Sequence, residues 1–245
     1  MTAPLAGLRH LAGSLLDLLL PPRCPVCEDL LTDPGQIICS ACRFGFEAID
    51  APLCQRCALP LNQEKAHCAH CSIHPTGLDA LRCGFAYGGS LQEAIMALKF
   101  GRRRELARPL AQLSLEAASG LPDEVEFLLP VPLHKTRFTQ RGFDQAALIA
   151  LELGRINGLP VLLGGLQRIR ATDPQGQSRD QRARFSNVAG AFVAGKPRLI
   201  KDKAICLVDD VVTTGATMAS CAGVLREAGA SRITGFAVGR TLPDL

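Results

Sequence analysis

Two kinds of apolar pattern alternate along most of the chain. FLLPV at 127–131, AICLV at 204–208 and ITGFAV at 233–238 are short runs with little polar interruption. Such runs are expected of strands buried on both faces of a parallel sheet. Between them, apolar residues recur three and four apart. SLQEAIMALKF at 90–100 predicts a helix with Ser90 at its N-cap and Glu93 three residues on. GRRRELARPLAQLSLEAA at 101–118 predicts a second, with Pro109 near its first turn. A third follows Phe143, and a fourth runs through Met218, Cys221, Val224 and Leu225. RCGFAYG at 82–88, PVLLGGLQRI at 160–169 and GAFVAG at 190–195 read as further strands. The stretch carrying Lys135, Arg137 and Arg141 reads as a loop, and the Arg-rich, aperiodic 170–187 as another. Strands alternating with helices predict an α/β fold, a parallel sheet with helices on both faces.

The first twenty residues differ. Leu5, Leu8, Ala12, Leu15 and Leu19 fall at helical spacing, interrupted by Arg9, His10 and Asp17. The run is too short to span a membrane, and Pro21, Pro22 and Arg23 follow it instead of a small-residue cleavage site. An amphipathic helix over 1–22 and a cytoplasmic protein are therefore expected, one in which cysteines stay reduced. The chain's 245 residues suit one ordinary domain with a smaller one. Of 27 Lys and Arg, six precede Cys83, against eight of the 23 Asp and Glu. The basic surplus thus lies in the larger C-terminal part, where an anionic ligand would need it, and is too small to demand nucleic acid. With no Trp and one Tyr, few rings are available for base stacking.

Eight of eleven cysteines form four CxxC pairs: Cys24/Cys27, Cys39/Cys42, Cys54/Cys57 and Cys68/Cys71. Two residues between sulfurs let one tight turn direct both thiolates to a tetrahedral zinc. The shortest closure groups Cys24, Cys27, Cys39 and Cys42 as one site and Cys54, Cys57, Cys68 and Cys71 as a second. Spacing does not exclude an interleaved pairing, or His67 or His70 replacing a sulfur. Four protein ligands leave no open position, so both zinc sites read as structural, within a double zinc ribbon over 23–78. Cys83, Cys206 and Cys221 sit in apolar contexts, as small core residues do.

The strand at 204–208 leads into Asp209 and Asp210, the small-residue loop Thr213, Thr214, Gly215, Ala216 and Thr217, and then a helix. In open α/β sheets ligands gather at the carboxyl ends of strands. A loop entering a helix presents free N–H groups to an anion, and ionised aspartates accept hydrogen bonds from sugar hydroxyls. The stretch suits a phosphorylated sugar. It resembles the phosphoribosyl pyrophosphate loop of type I phosphoribosyltransferases, in which the acid pair holds the ribose hydroxyls and the loop wraps the 5-phosphate.

Taken together, PPRCPVC at 21–27, the double zinc ribbon, ALKFGRR at 97–103, LPVPL with RGF at 141–143, Arg184, Asn187 and Phe192, and LVDDVVTTGAT at 207–217 resemble the ComF family. Asp144 stands where that family usually has Asn. The resemblance implies a type I phosphoribosyltransferase-like domain over 79–245, binding of phosphoribosyl pyrophosphate with magnesium, and a link to DNA uptake. It places Arg137 and Arg141 near the pyrophosphate or acceptor side. It also puts Thr213 where 6-oxopurine transferases carry a carboxylate, which disfavours such an acceptor. Single-stranded DNA or DNA-uptake proteins are the implied partners. The cluster of four cations within six positions, Lys99, Arg102, Arg103 and Arg104, supplies the candidate nucleic-acid contacts, the plainer reading being a solvated helix junction. An active transferase, an accessory protein that uses the phosphoribosyl site as a sensor, and an interaction module built on the ribbons are the three functions to separate.

Overall fold

The computed structural model describes residues 21–33, 35–62, 67–73, 75–171 and 190–243. The amphipathic segment at 1–20, the polar stretch at 172–189 and, with it, Arg184 and Asn187 lie outside the described residues. In chain order come α1 (Ser40–Phe44), α2 (Ala69–Ile73), β1 (Ala80–Ala86), α3 (Gly89–Phe100), α4 (Ala107–Ala117), β2 (Phe127–Pro130), α5 (Lys135–Arg141), α6 (Gln145–Asn157), β3 (Leu166–Arg168), β4 (Phe192–Ala194), α7 (Pro197–Ile200), β5 (Ala204–Val212), α8 (Ala216–Glu227) and β6 (Arg232–Arg240).

The main sheet is parallel, in the order β1-β6-β5-β2. The two central strands, β6 and β5, are the two longest of that sheet. Alternation along them divides the core between the two faces. Cys206, Val208, Phe236 and Val238 join Leu91, Ile95, Leu110, Ile149 and Leu153, and so pack under α3, α4 and α6. Ile205, Leu207, Ile233 and Ala237 join Met218, Cys221 and Leu225 of α8. Pro130, which has no N–H to give a ladder, ends the edge strand β2.

Three expectations need correction. The helix at 89–100 starts after Gly88, without a side-chain cap, and Ser90 is not its N-cap. Ser90 faces the first ribbon, where a Cβ on Gly45 would collide with its hydroxyl. The predicted loop at 135–141 is the helix α5. It buries none of its residues, so it carries no apolar stripe to betray it. The predicted strand at 160–169 is interrupted at Gly164, which has a left-handed φ of 71°. Before it, Val161 keeps a single parallel bridge to Leu128 of β2, and after it Leu166–Arg168 forms a strand paired antiparallel with β4 outside the main sheet.

Two ribbons precede β1, each built on the same knuckle. In the first, Cys24 N–H donates to Asp29 O, Glu28 N–H to Cys24 O and Leu31 N–H to Pro22 O. In the second, Cys54 N–H donates to Leu59 O, Ala58 N–H to Cys54 O and Leu61 N–H to Pro52 O. Cys24, Ile38, Cys42 and Phe46 of the first ribbon belong to the α3/α4/α6 core, with Phe46 edge-on to Phe85 at 5.3 Å. Ala58 of the second belongs to the α8 core.

Candidate functional site

The acid pair lies within β5, not beyond it. Asp209 is in register with Ala237, and the strand continues to Val212. Consecutive strand side chains point to opposite faces, so the two carboxylates meet different surroundings. Asp210 is almost wholly buried, and its Oδ2 lies 2.9 Å from Lys99 Nζ of α3. That contact is an ion pair without the direction of a hydrogen bond. Asp209 lies toward α8 and β3, close enough for its charge to act on Cys221 and Arg168. Its Oδ1 accepts from Asp210 N–H at 2.9 Å. Burial and the neighbouring Asp210 push its carboxyl well above the usual carboxylate range, with Lys99 acting the other way.

After Val212 the chain turns through Thr213, Thr214 and Gly215 into α8. Gly215 has a φ of 83°, the left-handed conformation that glycine adopts without a Cβ clash. Ala216 N–H donates to Thr214 Oγ1 at 3.4 Å. The first turn of this twelve-residue helix therefore opens on a loop with only small side chains in it.

A cavity of about 530 Å³ covers the end of β5. Asp209, Asp210, Thr213 and Thr217 form its floor, and Lys99, Arg102, Arg137, Arg141 and Arg168 bring positive charge to its walls. Arg137 and Arg141 come from α5, four apart and so on one side of the helix. This helix is capped by His134 Nδ1, which accepts from Thr136 N–H at 3.3 Å, and ends at left-handed Gly142. Arg141 lies over the Phe100 ring at 4.8 Å and donates to Gln145 Oε1 at 2.9 Å. Burial lowers its pKa while Asp210 raises it, and a guanidinium remains charged under such shifts. Asp144 caps α6, accepting from Ala147 N–H at 3.1 Å and from Leu133 N–H at 3.0 Å. An asparagine oxygen could accept one of these bonds equally well.

The basic group at 99–104 is not one patch. Lys99 and Arg102 face the cavity. Arg104 lies over the Phe143 ring at 4.8 Å and donates to Gly142 O at 3.1 Å. Arg103 is half exposed, 3.8 Å from Glu105. Sequence reasoning named Lys99 only as a nucleic-acid contact, not as the partner of Asp210 in the cavity, and missed Arg168 altogether. Arg168 is carried by a three-residue strand outside the main sheet, and no local signal relates that strand to β5.

The eight CxxC cysteines converge as Cys24, Cys27, Cys39, Cys42 and as Cys54, Cys57, Cys68, Cys71. Within each group the sulfurs lie within 4.8 Å of one another. Backbone N–H groups already point at sulfur: Cys39 to Cys24 at 3.5 Å, Cys42 to Cys39 at 3.4 Å and Cys68 to Cys54 at 3.4 Å. Burial opposes ionisation of Cys24 and Cys54, but such donors outweigh it and lower both thiols to about 7. Both groups fit a structural zinc. The pairing by shortest closure is the one found, and neither group includes a histidine among the described residues. Cys83, Cys206 and Cys221 are buried in the core.

A double zinc ribbon domain family matches residues 15–72. The DNA utilization protein YhgH of Escherichia coli K12 is 32% identical over 233 residues, covering 92% of this chain and all of that protein. The chain belongs to the ComF family. Competence protein F of Haemophilus influenzae is 28% identical over 89% of this chain and 96% of its own length. Competence protein ComFC of Bacillus subtilis is 27% identical over 86% and 87%. Among solved structures, glutamine phosphoribosylpyrophosphate amidotransferase from B. subtilis, complexed with ADP and GMP, shares 24% identity. That match covers 56% of this ComF chain and 26% of the amidotransferase, with a TM-score of 0.36. Among the described residues, no helix is long and apolar enough to cross a membrane.

Proposed function

We propose that this ComF protein binds phosphoribosyl pyrophosphate over the end of β5 and acts as a phosphoribosyltransferase-type protein in the use of DNA. One observation carries the reading: an acid pair, Thr213 and Thr217 of a small-residue loop opening a helix, and Arg137, Arg141 and Arg168 all line one cavity. The N–H groups of Gly215–Thr217 and the Thr213 and Thr217 hydroxyls would hold the 5-phosphate. Asp209 and Asp210 would accept from the ribose hydroxyls, with Lys99 paired to Asp210 at 2.9 Å. The arginines would stabilise the charge that develops on departing pyrophosphate. Magnesium, which in such ligands neutralises the diphosphate, would be shared with it: among the described residues the groups with three or more ligand atoms are the two cysteine sets. The named roles of the relatives in DNA utilization and competence support the wider context.

A second reading is a sensor or adaptor that binds the sugar diphosphate without turning it over. It is favoured by the cavity walls, where no glutamate or histidine stands among the described residues as a base for an acceptor. Thermal shift with phosphoribosyl pyrophosphate and magnesium tests both. Binding should raise the melting temperature of the wild type by mass action and raise it much less in Thr214→Ala. Equal shifts in the two proteins would remove the loop from the site. Release of pyrophosphate on addition of candidate acceptors separates the transferase from the sensor.

A further inference from the structure

The second ribbon and the start of the phosphate loop are held by one buried side chain. Arg240, at the end of β6, is 2% exposed. Its Nε donates to Cys57 O at 2.7 Å, and its Nη1 donates to Val212 O at 3.1 Å, to Thr241 O at 2.8 Å and to Thr213 O. Cys57 belongs to the second four-cysteine group, and Val212 and Thr213 are the residues that lead β5 into the loop. The two carbonyls before Cys57 are also taken. Leu81 N–H donates to Gln55 O at 2.7 Å, and Thr76 Oγ1 donates to Arg56 O at 3.2 Å. The Thr76 methyl in turn lies 3.7 Å from the place of a Cβ on Gly215, in the loop. In the first ribbon the corresponding carbonyls belong to Pro25, Val26 and Cys27. Among the described residues none donates to them.

Charge gives the arrangement a reason. A buried guanidinium needs compensation, yet no carboxylate among the described residues pairs with Arg240. A divalent ion held by four thiolates keeps a net negative charge, and the four sulfurs of the second ribbon are grouped to hold one. Cys83 lies close enough to both Arg240 and Cys57 to feel the charge of each.

We infer that Arg240 is a positioning residue for the phosphate loop, and that it makes the loop depend on metal in the second four-cysteine site but not in the first. The loaded second site fixes the Cys57 carbonyl and supplies the counter-charge. Arg240 then holds the Val212 and Thr213 carbonyls, so that the N–H groups ahead of α8 are presented in one arrangement. The value of the clamp for ligand binding rests on the sugar-phosphate reading of the cavity. The mechanical dependence of the loop on the ribbon does not.

The test compares full-length wild type with Cys68→Ser, Cys27→Ser, Arg240→Gln and the Cys68→Ser/Arg240→Gln double variant. Zinc content, amide hydrogen exchange of a peptide spanning 209–217, exchange in α6 as a control, and affinity for phosphoribosyl pyrophosphate are measured on each. Cys68→Ser and Arg240→Gln should each speed exchange in the loop and weaken binding about tenfold or more, the scale of a lost charge-assisted hydrogen bond. The double variant should be no worse than either, because both act through one clamp. Cys27→Ser should lose a zinc and keep the loop exchange and affinity of the wild type. Wild-type loop exchange in Cys68→Ser, equal loosening in Cys27→Ser, or loosening that includes α6 would overturn the inference. Should Arg240→Gln not fold, the two cysteine variants decide the matter. Failure of the wild type to bind the ligand would defeat the pocket reading, while the exchange comparison would still decide the coupling.

Discussion

The two faces of the central sheet receive similar parts and use them differently. The face under α3, α4 and α6 takes the first ribbon and Asp210, and Asp210 is matched at once by Lys99. The α8 face takes the second ribbon, Asp209 and the Thr213–Thr217 loop. No cation among the described residues forms an ion pair with Asp209, and burial opposes its ionisation. One acid therefore meets a cation within the fold, and its neighbour meets chiefly burial. Neighbouring residues of one strand, and ribbons built on one knuckle, acquire different work from the face that they join.

The largest effect expected concerns metal. Fresh, reduced protein should hold about two zinc ions per chain, each contributing on the order of 10 kcal/mol to the folding of its ribbon. Cys24→Ser and Cys54→Ser should each lower the content to about one. Elemental analysis giving one zinc in the wild type would break the symmetry between the ribbons.

Next comes the acid pair. Asp210→Asn leaves Lys99 beside a neutral amide, and should cost about 2–4 kcal/mol by denaturant unfolding, near the low end for a broken buried pair because Lys99 retains some exposure. Asp209→Asn should instead stabilise the ligand-free protein at neutral pH. A carboxyl whose folded pKa is raised contributes stability that is present below its unfolded pKa of about 3.9 and is lost as pH rises through the folded pKa. The gain in Asp209→Asn should thus shrink as pH falls toward the ordinary carboxylate range. Similar losses in both variants at pH 7 would show that the two faces are alike at this strand.

The smallest effect is chemical. Burial pushes the Cys83 and Cys206 thiols up to about 12, and Cys221 is raised as well. These three lie on both faces, and none should react with iodoacetamide in the native, zinc-loaded protein. Mass spectrometry finding any of them labelled at neutral pH would mean that its side of the core opens.

How far the sequence foretold this follows from where each signal is local. Strand β5, its acids, the loop and α8 lie within 24 consecutive residues, so pattern alone revealed them. The CxxC spacing likewise carries its own chemistry. Helix α5 was hidden because none of its residues is buried, and Ser90 was misplaced because Gly45 of a distant ribbon decides its setting. Lys99 looked like one member of a basic run until tertiary structure turned it toward Asp210. Arg240, in GRTL, looked like an ordinary strand end, and its four carbonyl partners reach back as far as Cys57.

The central claim is that the cavity over Asp209, Asp210 and Thr213–Thr217 takes a phosphoribosyl diphosphate. Isothermal titration of phosphoribosyl pyrophosphate with magnesium into wild type and Thr214→Ala tests it most directly. The account predicts saturable binding near one ligand per chain, weakened about tenfold or more when the buried loop hydroxyl is lost. No heat of binding in the zinc-loaded wild type, or the same affinity in both proteins, would contradict it.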